Sequence, residues 1–245
     1  MWTTELRFGD SAESRDAAAE LDDLSFGAVW FAQEPTAREN NGWMARKKSL
    51  TAGTDVAEEI LVAAASLFYE RGYDATSIRD LALVAGISSS TLYHHFTNKQ
   101  EILHAVVERF MQDFNAELIP ILIDPTRPPT QRLAEMTRRH LTMSDERRPE
   151  LLNANQFRTS LSPTQLRNIV GLQWEYHDAV KALLAEGSAA GVFVIDDVDT
   201  TTMALLDMLN GVREWFNHTG HLSINDVVIR YTRIVQRMVA ATPTD

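Results

Sequence analysis

A chain of 245 residues with 44% hydrophobic side chains and few glycines or prolines has the makeup of one large or two small globular domains, not of a disordered or fibrous protein. It contains no cysteine, which excludes a disulfide scaffold, thiolate metal sites and thiol redox sensing. The net charge of −11 argues against a general nucleic-acid coat.

Residues 1–53 read as an N-terminal extension expected to be disordered, with nine acids against three arginines over residues 1–43 and only a weak helical pattern around Ala17–Leu24. Its opening, MWTTELRFGDSAESRD, has no basic stretch followed by an apolar core, so no signal peptide is expected. No apolar run approaches the roughly 20 residues of a membrane span, and a soluble cytoplasmic protein without membrane partners is expected. Met44 then opens MARKKSL, a basic arm over residues 44–50. Met44 is the expected native start; a genuine acidic segment that shields the arm or binds a partner is the alternative. Arg46, Lys47 and Lys48 either enter a DNA minor groove or simply solvate the chain end.

The periodicity predicts an all-α chain. A first helix covers about Asp55 to Arg71, with Ile60, Ala64, Leu67 and Phe68 on one side and Gly72 at its end. Thr76 is the expected N-cap of a second, short helix whose Ile78, Leu81, Ala82 and Ala85 fall at i, i+3, i+4 and i+7. Gly86 stops it, Ile87 fills the turn, and Ser88 caps a third helix with Leu92 and Phe96 on its buried side. Ser89, Ser90, Thr91, Tyr93 and His94 are left facing out. Two short helices joined by a glycine turn, the second studded with polar groups, form a helix-turn-helix over residues 77–96 whose second helix suits the DNA major groove. The hydroxyls of Ser88, Ser89, Ser90 and Thr91 let that helix approach base edges closely. Each bonds weakly, so shape and bridging water share in specificity.

A fourth helix starts near Lys99 and carries Ile102, Leu103, Val106, Val107, Phe110 and Phe114 inward, ending by Pro120 or near Asp124-Pro125. DPTRPP (124–129) reads as a loop, about Thr130–Met143 as a helix, SDERRP as a polar break, and about Glu150–Thr159 as another helix. Ser162-Pro163 is an N-cap followed by proline at the first helical position, opening a long helix to Gly187 or Gly191. VFVIDDVD (192–199) is a connector with a short extended run, and helices over about Asp199–Asn217 and Ser223–Ala240 complete the chain.

The block ILVAAASLFYERGYDATSIRDLALVAGISSSTLYHHFTNKQEIL, from Ile60 to Leu103, closely resembles the DNA-binding domain of TetR-family transcriptional regulators. The matching features are Ala64, Leu67, Phe68, Gly72 and Tyr73 at the first helix end, then TSIRDLA, AGIS and LYHHFTNKQEIL. The resemblance covers about a quarter of the chain. It implies a three-helix DNA-binding domain over 54–114 and a ligand-binding and dimerisation domain over 115–245. By the same resemblance Tyr93 and His94 meet the sugar-phosphate backbone, Lys99 acts as a phosphate clamp, and Thr76 is a phosphate contact at a helix N-terminus. Tyr93 as a packing residue is the alternative, and His95 reads as a satisfied core histidine. Many family members place Lys or Gly in mid-recognition helix, where three serines and a threonine stand here; the operator sequence is therefore not legible.

The expected function is a homodimeric repressor, released from palindromic double-stranded DNA by a small apolar or acyl-CoA-like effector. An architectural or partner-regulated DNA binder without an effector is the alternative. Residues 176–222 are similar to regulators of lipid and steroid catabolism whose effectors are acyl-CoA thioesters. Polar groups on otherwise apolar helices are the candidate pocket lining: Asn155, Gln156, Arg158, Trp174, His177, Asn210, Arg213 and Trp215. Arg213 or Arg158 suits a phosphate, and each of these residues has a satisfied core or interface role as its alternative. His218 and His221 flank Gly220 and read as loop histidines, not metal ligands. No G-x-S-x-G, H-E-x-x-H or P-loop occurs, so neither an enzyme nor a cofactor is expected.

Overall fold

The structure, a computed structural model, describes residues 56–153 and 157–239, with the side chains of 152, 153, 157 and 158 left aside. Among the described residues all regular structure is helical. The basic arm with Arg46, Lys47 and Lys48, and the candidate ligand side chains of Asn155, Gln156 and Arg158, lie outside that description.

Three helices build the first half: α1 (Val56–Arg71), α2 (Ile78–Ala85) and α3 (Ser89–His95). The expected stripe of α1 is buried, with Ile60, Ala64, Leu67 and Phe68 all at most 3% exposed. The second helix starts one residue later than expected. Ser77, not Thr76, is the N-cap; its hydroxyl accepts from the Asp80 N–H at 3.2 Å while the Asp80 carboxylate accepts from the Ser77 N–H at 2.9 Å. This reciprocal pair satisfies two of the donors a helix start leaves open. At the other end Gly86 takes φ +73°, a left-handed geometry that a Cβ disfavours. The turn closes through Gly86 N–H to Leu83 O and Ile87 N–H to Ala82 O.

The long helix α4 (Lys99–Ile123) begins in this domain and carries its apolar stripe into the second half. Asn98 caps it by accepting from the Glu101 N–H at 2.8 Å, and the Glu101 carboxylate returns to the Thr97 N–H at 2.7 Å. Pro120 sits inside its last turn and the helix stops at Asp124, the later of the two expected ends. Next come α5 (Pro129–Glu146), α6 (Arg148–Asn153) and α7 (Phe157–Ser160). The expected polar break shrinks to Arg147 alone, because Ser144, Asp145 and Glu146 continue α5. Of the helix expected over 150–159, the described residues are helical within α6 and α7.

The C-terminal half closes with α8 (Pro163–Ala189), α9 (Val198–Trp215) and α10 (Ile224–Met238). A Ser162–Gln165 capping box with Pro163 behind it starts α8, as the sequence indicates, and Ser223 with Asp226 does the same for α10. No extended run forms over 192–199: the connector takes turns and bends, and its Val194 N–H donates to the Val239 carbonyl at 3.0 Å. It is bent inward because the Phe193 ring, 2% exposed, fills the space over Gly187 in α8.

The core of this half lies between α4 and α8, which pack along their lengths, with α5 beneath them and α10 against α5. The short helix α6 touches both α1 and α4, so it is the piece of the second half that abuts the first. At its start two arginines reach opposite ways. Arg147 pairs with Asp113 of α4 at 2.6 Å, and Arg148 donates to the Arg213 carbonyl of α9 at 2.9 Å.

Candidate nucleic-acid interface

The third helix has two unlike sides. Leu92 is 0% exposed and Phe96 9%, and they fasten the helix to α1 and α2 as expected. Tyr93, one residue away, is 55% exposed, and His94 is exposed beside it. A seven-residue helix makes few internal hydrogen bonds, so its stability comes from this buried side and from its cap. Ser88 supplies the cap, its hydroxyl accepting from the Thr91 N–H at 3.0 Å.

The same hydroxyl organises its neighbours. Ser88 Oγ lies 2.7 Å from Ser90 Oγ and 2.8 Å from Thr91 Oγ1, a triangle that leaves these three groups with part of their bonding capacity already used. Ser89 lies half-buried, and no hydrogen bond of its hydroxyl is found among the described residues. The outer surface thus offers a pre-oriented hydroxyl cluster followed one turn on by an aromatic ring and imidazoles. Such a face can approach base edges or phosphates without displacing large side chains.

Two expected phosphate contacts are built differently. Thr76 is 1% exposed, and its hydroxyl donates to the Gly72 carbonyl at 2.8 Å, with the Leu67 carbonyl at 3.4 Å. That group is sealed in the α1–α2 turn, and the exposed hydroxyl there belongs to Ser77. Lys99 points back into the protein: Nζ donates to the carbonyls of Tyr73 at 2.7 Å and Thr76 at 2.9 Å, and lies 4.2 Å from the centre of the Tyr73 ring. Its charge therefore holds the α1–α2 turn against the start of α4. His95, read from sequence as a core residue, is exposed on the last turn of α3. It follows His94 directly, and nothing in the apolar spacing distinguishes a flank position from a buried one there.

The candidate ligand residues separate into three places. Trp174 and His177 share a face of α8, their rings 4.7 Å apart at 77°, and the His177 Nδ1 lies 3.1 Å from Asp178. Asn210 and Arg213 turn inward on α9; Arg213 is 6% exposed and its Nε donates to Glu214 at 2.9 Å. Trp215 departs from the expected lining, for it is 47% exposed and stacks on Tyr231 of α10 at 6.2 Å. Sequence reasoning missed His140 and Tyr176, which lie fully inside with Asn210 and Arg213 near them. The available signal was His140 standing on the apolar stripe of Leu133, Met136 and Leu141. An open groove of about 510 Å³ between α4 and α5 holds none of these residues, and its arginines 139 and 147 are paired with Glu117, Glu146 and Asp113.

A capped, short third helix presented by a glycine turn, on an all-helical body with a polar-centred second half, defines a helix-turn-helix DNA-binding regulator. Two family models match: "Bacterial regulatory proteins, tetR family" over residues 60–106 and "Tetracyclin repressor-like, C-terminal domain" over residues 126–239. The TetR-family regulator PfmR from Thermus thermophilus is 31% identical in sequence, with 76% of this chain and 99% of that chain covered and a TM-score of 0.68. The ketosteroid transcriptional regulator KstR2 of Mycobacterium tuberculosis is 27% identical, with 78% and 97% covered and a TM-score of 0.67. The transcriptional repressor KstR2 of Rhodococcus jostii is 26% identical over 178 residues, 72% of this chain and 87% of that protein. The chain belongs to the TetR family of transcriptional regulators; it is a regulator and not an enzyme. None of the described helices is long and apolar enough to cross a membrane.

Proposed function

We propose that the protein is a homodimeric repressor whose two α3 helices read a palindromic operator, and that a small apolar or acyl-CoA-like effector releases it. The observation that carries this reading is the contrast across α3: Leu92 is sealed at 0% exposure while Tyr93, next in sequence, stands 55% exposed among hydroxyls and imidazoles. Within the reading, residues 54–114 are the DNA-binding domain and 115–245 the effector and dimerisation domain; the ranges of the two family models support that division. The contacts are Ser88, Ser89, Ser90, Thr91, Tyr93 and His94, joined by His95 and by the basic arm at Arg46, Lys47 and Lys48.

Two-fold pairing is supported by apolar side chains left outside on the last two long helices: Met203 and Trp215 on α9, and Ile229 and Ile234 on α10, each more than 40% exposed. Side chains of that size on a helix surface favour burial against a second copy. Repression is supported by the KstR2 relatives, which are named as repressors, and an apolar effector by the ketosteroid regulator among them. The effector acts by binding better to a conformation in which the two α3 helices no longer match the half-site spacing; the difference in affinity, typically about 1–3 kcal/mol, sets how far the equilibrium moves. Gel-shift titration on DNA flanking the protein's own gene, repeated with acyl-CoAs, steroids, flavonoids and antibiotics, tests it. Retention of DNA that one compound class abolishes is expected; a complex that no compound weakens removes the effector from the account.

A further inference from the structure

The interior of the second half holds a polar chain in an apolar setting. His140 of α5 is 1% exposed, and its Nδ1 lies 3.0 Å from the Tyr176 hydroxyl of α8. The Met136 sulfur lies 3.1 Å from the same hydroxyl. Imidazole nitrogen accepts far better than a thioether, so the phenol proton goes to Nδ1 and Nε2 carries the ring's hydrogen. The Phe114 ring stands edge-on to both partners, 5.1 Å from His140 and 5.2 Å from Tyr176, and fixes the planes of the two rings.

On its other side Nε2 is buried and has no hydrogen-bond partner among the described residues. Asn210 gives its Nδ2 to the Leu206 carbonyl at 2.8 Å, and its Oδ1 stands near enough to influence the ring without reaching hydrogen-bonding geometry with Nε2. Arg213, one turn further along α9, adds positive potential to the same place. Burial first and that charge second hold the imidazole down to about 3, so it stays neutral and keeps one donor. A buried donor without an acceptor is rare in a folded protein and calls for a reason.

We propose that His140 Nε2 anchors the carbonyl oxygen of the effector, with Arg213 supplying favourable potential and Phe114, Met136 and Tyr176 the apolar wall. This rests on the effector reading above and narrows it to effectors that bring a carbonyl oxygen, ketone or thioester, into an apolar setting. The Arg213 charge disfavours amines, and a neutral donor next to a cation suits an oxygen acceptor of partial negative charge. Two sources share that chemistry, a ring ketone and an acyl thioester. Androstenedione and isovaleryl-CoA probe them in turn, with cholesterol, which has no ketone, and free coenzyme A, which has no acyl thioester, as their controls.

The test is calorimetric binding of these four probes to the full-length protein and to H140F, which keeps a ring and removes the donor. At least one carbonyl probe binds the wild type, and H140F weakens it about tenfold, the loss expected of one hydrogen bond to a neutral acceptor. Operator affinity without ligand stays unchanged. Y176F, which only frees the imidazole tautomer, weakens it less and stands in if H140F does not fold. Long-range nitrogen–proton spectra show the His140 Nε2 resonance moving when the ligand is added, a response that a purely packing role does not produce. Equal binding by wild type and H140F overturns the proposal while leaving the effector reading intact. So does failure of both carbonyl probes to bind the wild type, because the gel-shift screen over other compound classes then decides the broader reading separately.

Discussion

The Lys99 ammonium sits 2.7 Å from the Tyr73 carbonyl oxygen and 4.2 Å from the centre of the Tyr73 ring, joining the end of the α1–α2 turn to the first residue of α4. Three carbonyls in that turn, of Tyr73, Asp74 and Thr76, face Nζ, which has three hydrogens to give. Charge-assisted bonds of this kind are the stronger ones, and half-burial spares them part of the solvent screening. K99M is therefore expected to lower stability by about 1–3 kcal/mol. Urea unfolding checks this; an unchanged midpoint means the ammonium is bound elsewhere in solution.

Thr76 and Ser77 are adjacent hydroxyls with separate jobs. T76V keeps the shape but removes the donor to the Gly72 carbonyl, at a cost of about 1 kcal/mol. S77A removes the cap and its half of the capping box, at about 0.5–2 kcal/mol. Both are read by thermal melting. In filter binding at fixed folded fraction, T76V retains the wild-type DNA affinity, because its side chain is sealed from solvent.

Much of this architecture is legible in the residues. The helix-turn-helix followed from Ile78, Leu81, Ala82 and Gly86, and the start of α8 from Ser162-Pro163, because apolar spacing and capping are local properties. What escaped is decided by tertiary geometry. The side chain of Thr76 turns inward because carbonyls of Gly72 and Leu67 await it there, and Lys99 turns back because the turn offers it three acceptors. His95 was misplaced because a helix of seven residues leaves its last turn ambiguous between core and flank. His140 was overlooked because one imidazole on an apolar stripe gains meaning only when Tyr176, 36 positions on, arrives beside it.

Gly187 is the position where α8 tolerates no side chain. A Cβ built there falls 2.0 Å from the Phe193 ring, which is itself 2% exposed and has nowhere to move. G187A is expected to cost about 1–3 kcal/mol through overpacking. Combining it with F193L gives a protein more stable than the sum of the two losses, since the smaller side chain makes room. Additive losses in a double-mutant cycle contradict the arrangement.

Acid sensitivity follows from His140. In the unfolded chain it titrates near 6.5 and in the folded protein it is held down to about 3, chiefly by burial and next by Arg213. The unfolded state therefore binds a proton that the folded state refuses between those limits. Stability falls as pH drops through about 6.5 towards about 3 and is fully present above. Carboxylates held low by their partners, such as Glu117 beside Arg139, act mainly below about pH 5. Comparing wild type with H140F between about pH 5 and 6.5 isolates the histidine: the wild type loses more stability with acid across that window than H140F does.

The outward side of α3 carries the account, and DNase footprinting on DNA flanking the gene tests it most directly, with wild type and Y93A compared side by side at moderate salt. Wild type is predicted to protect an inverted repeat with half-sites about one helical turn apart, and Y93A to lose that protection while melting within a few degrees of wild type. No protected repeat with wild type, or equal protection by Y93A, contradicts it.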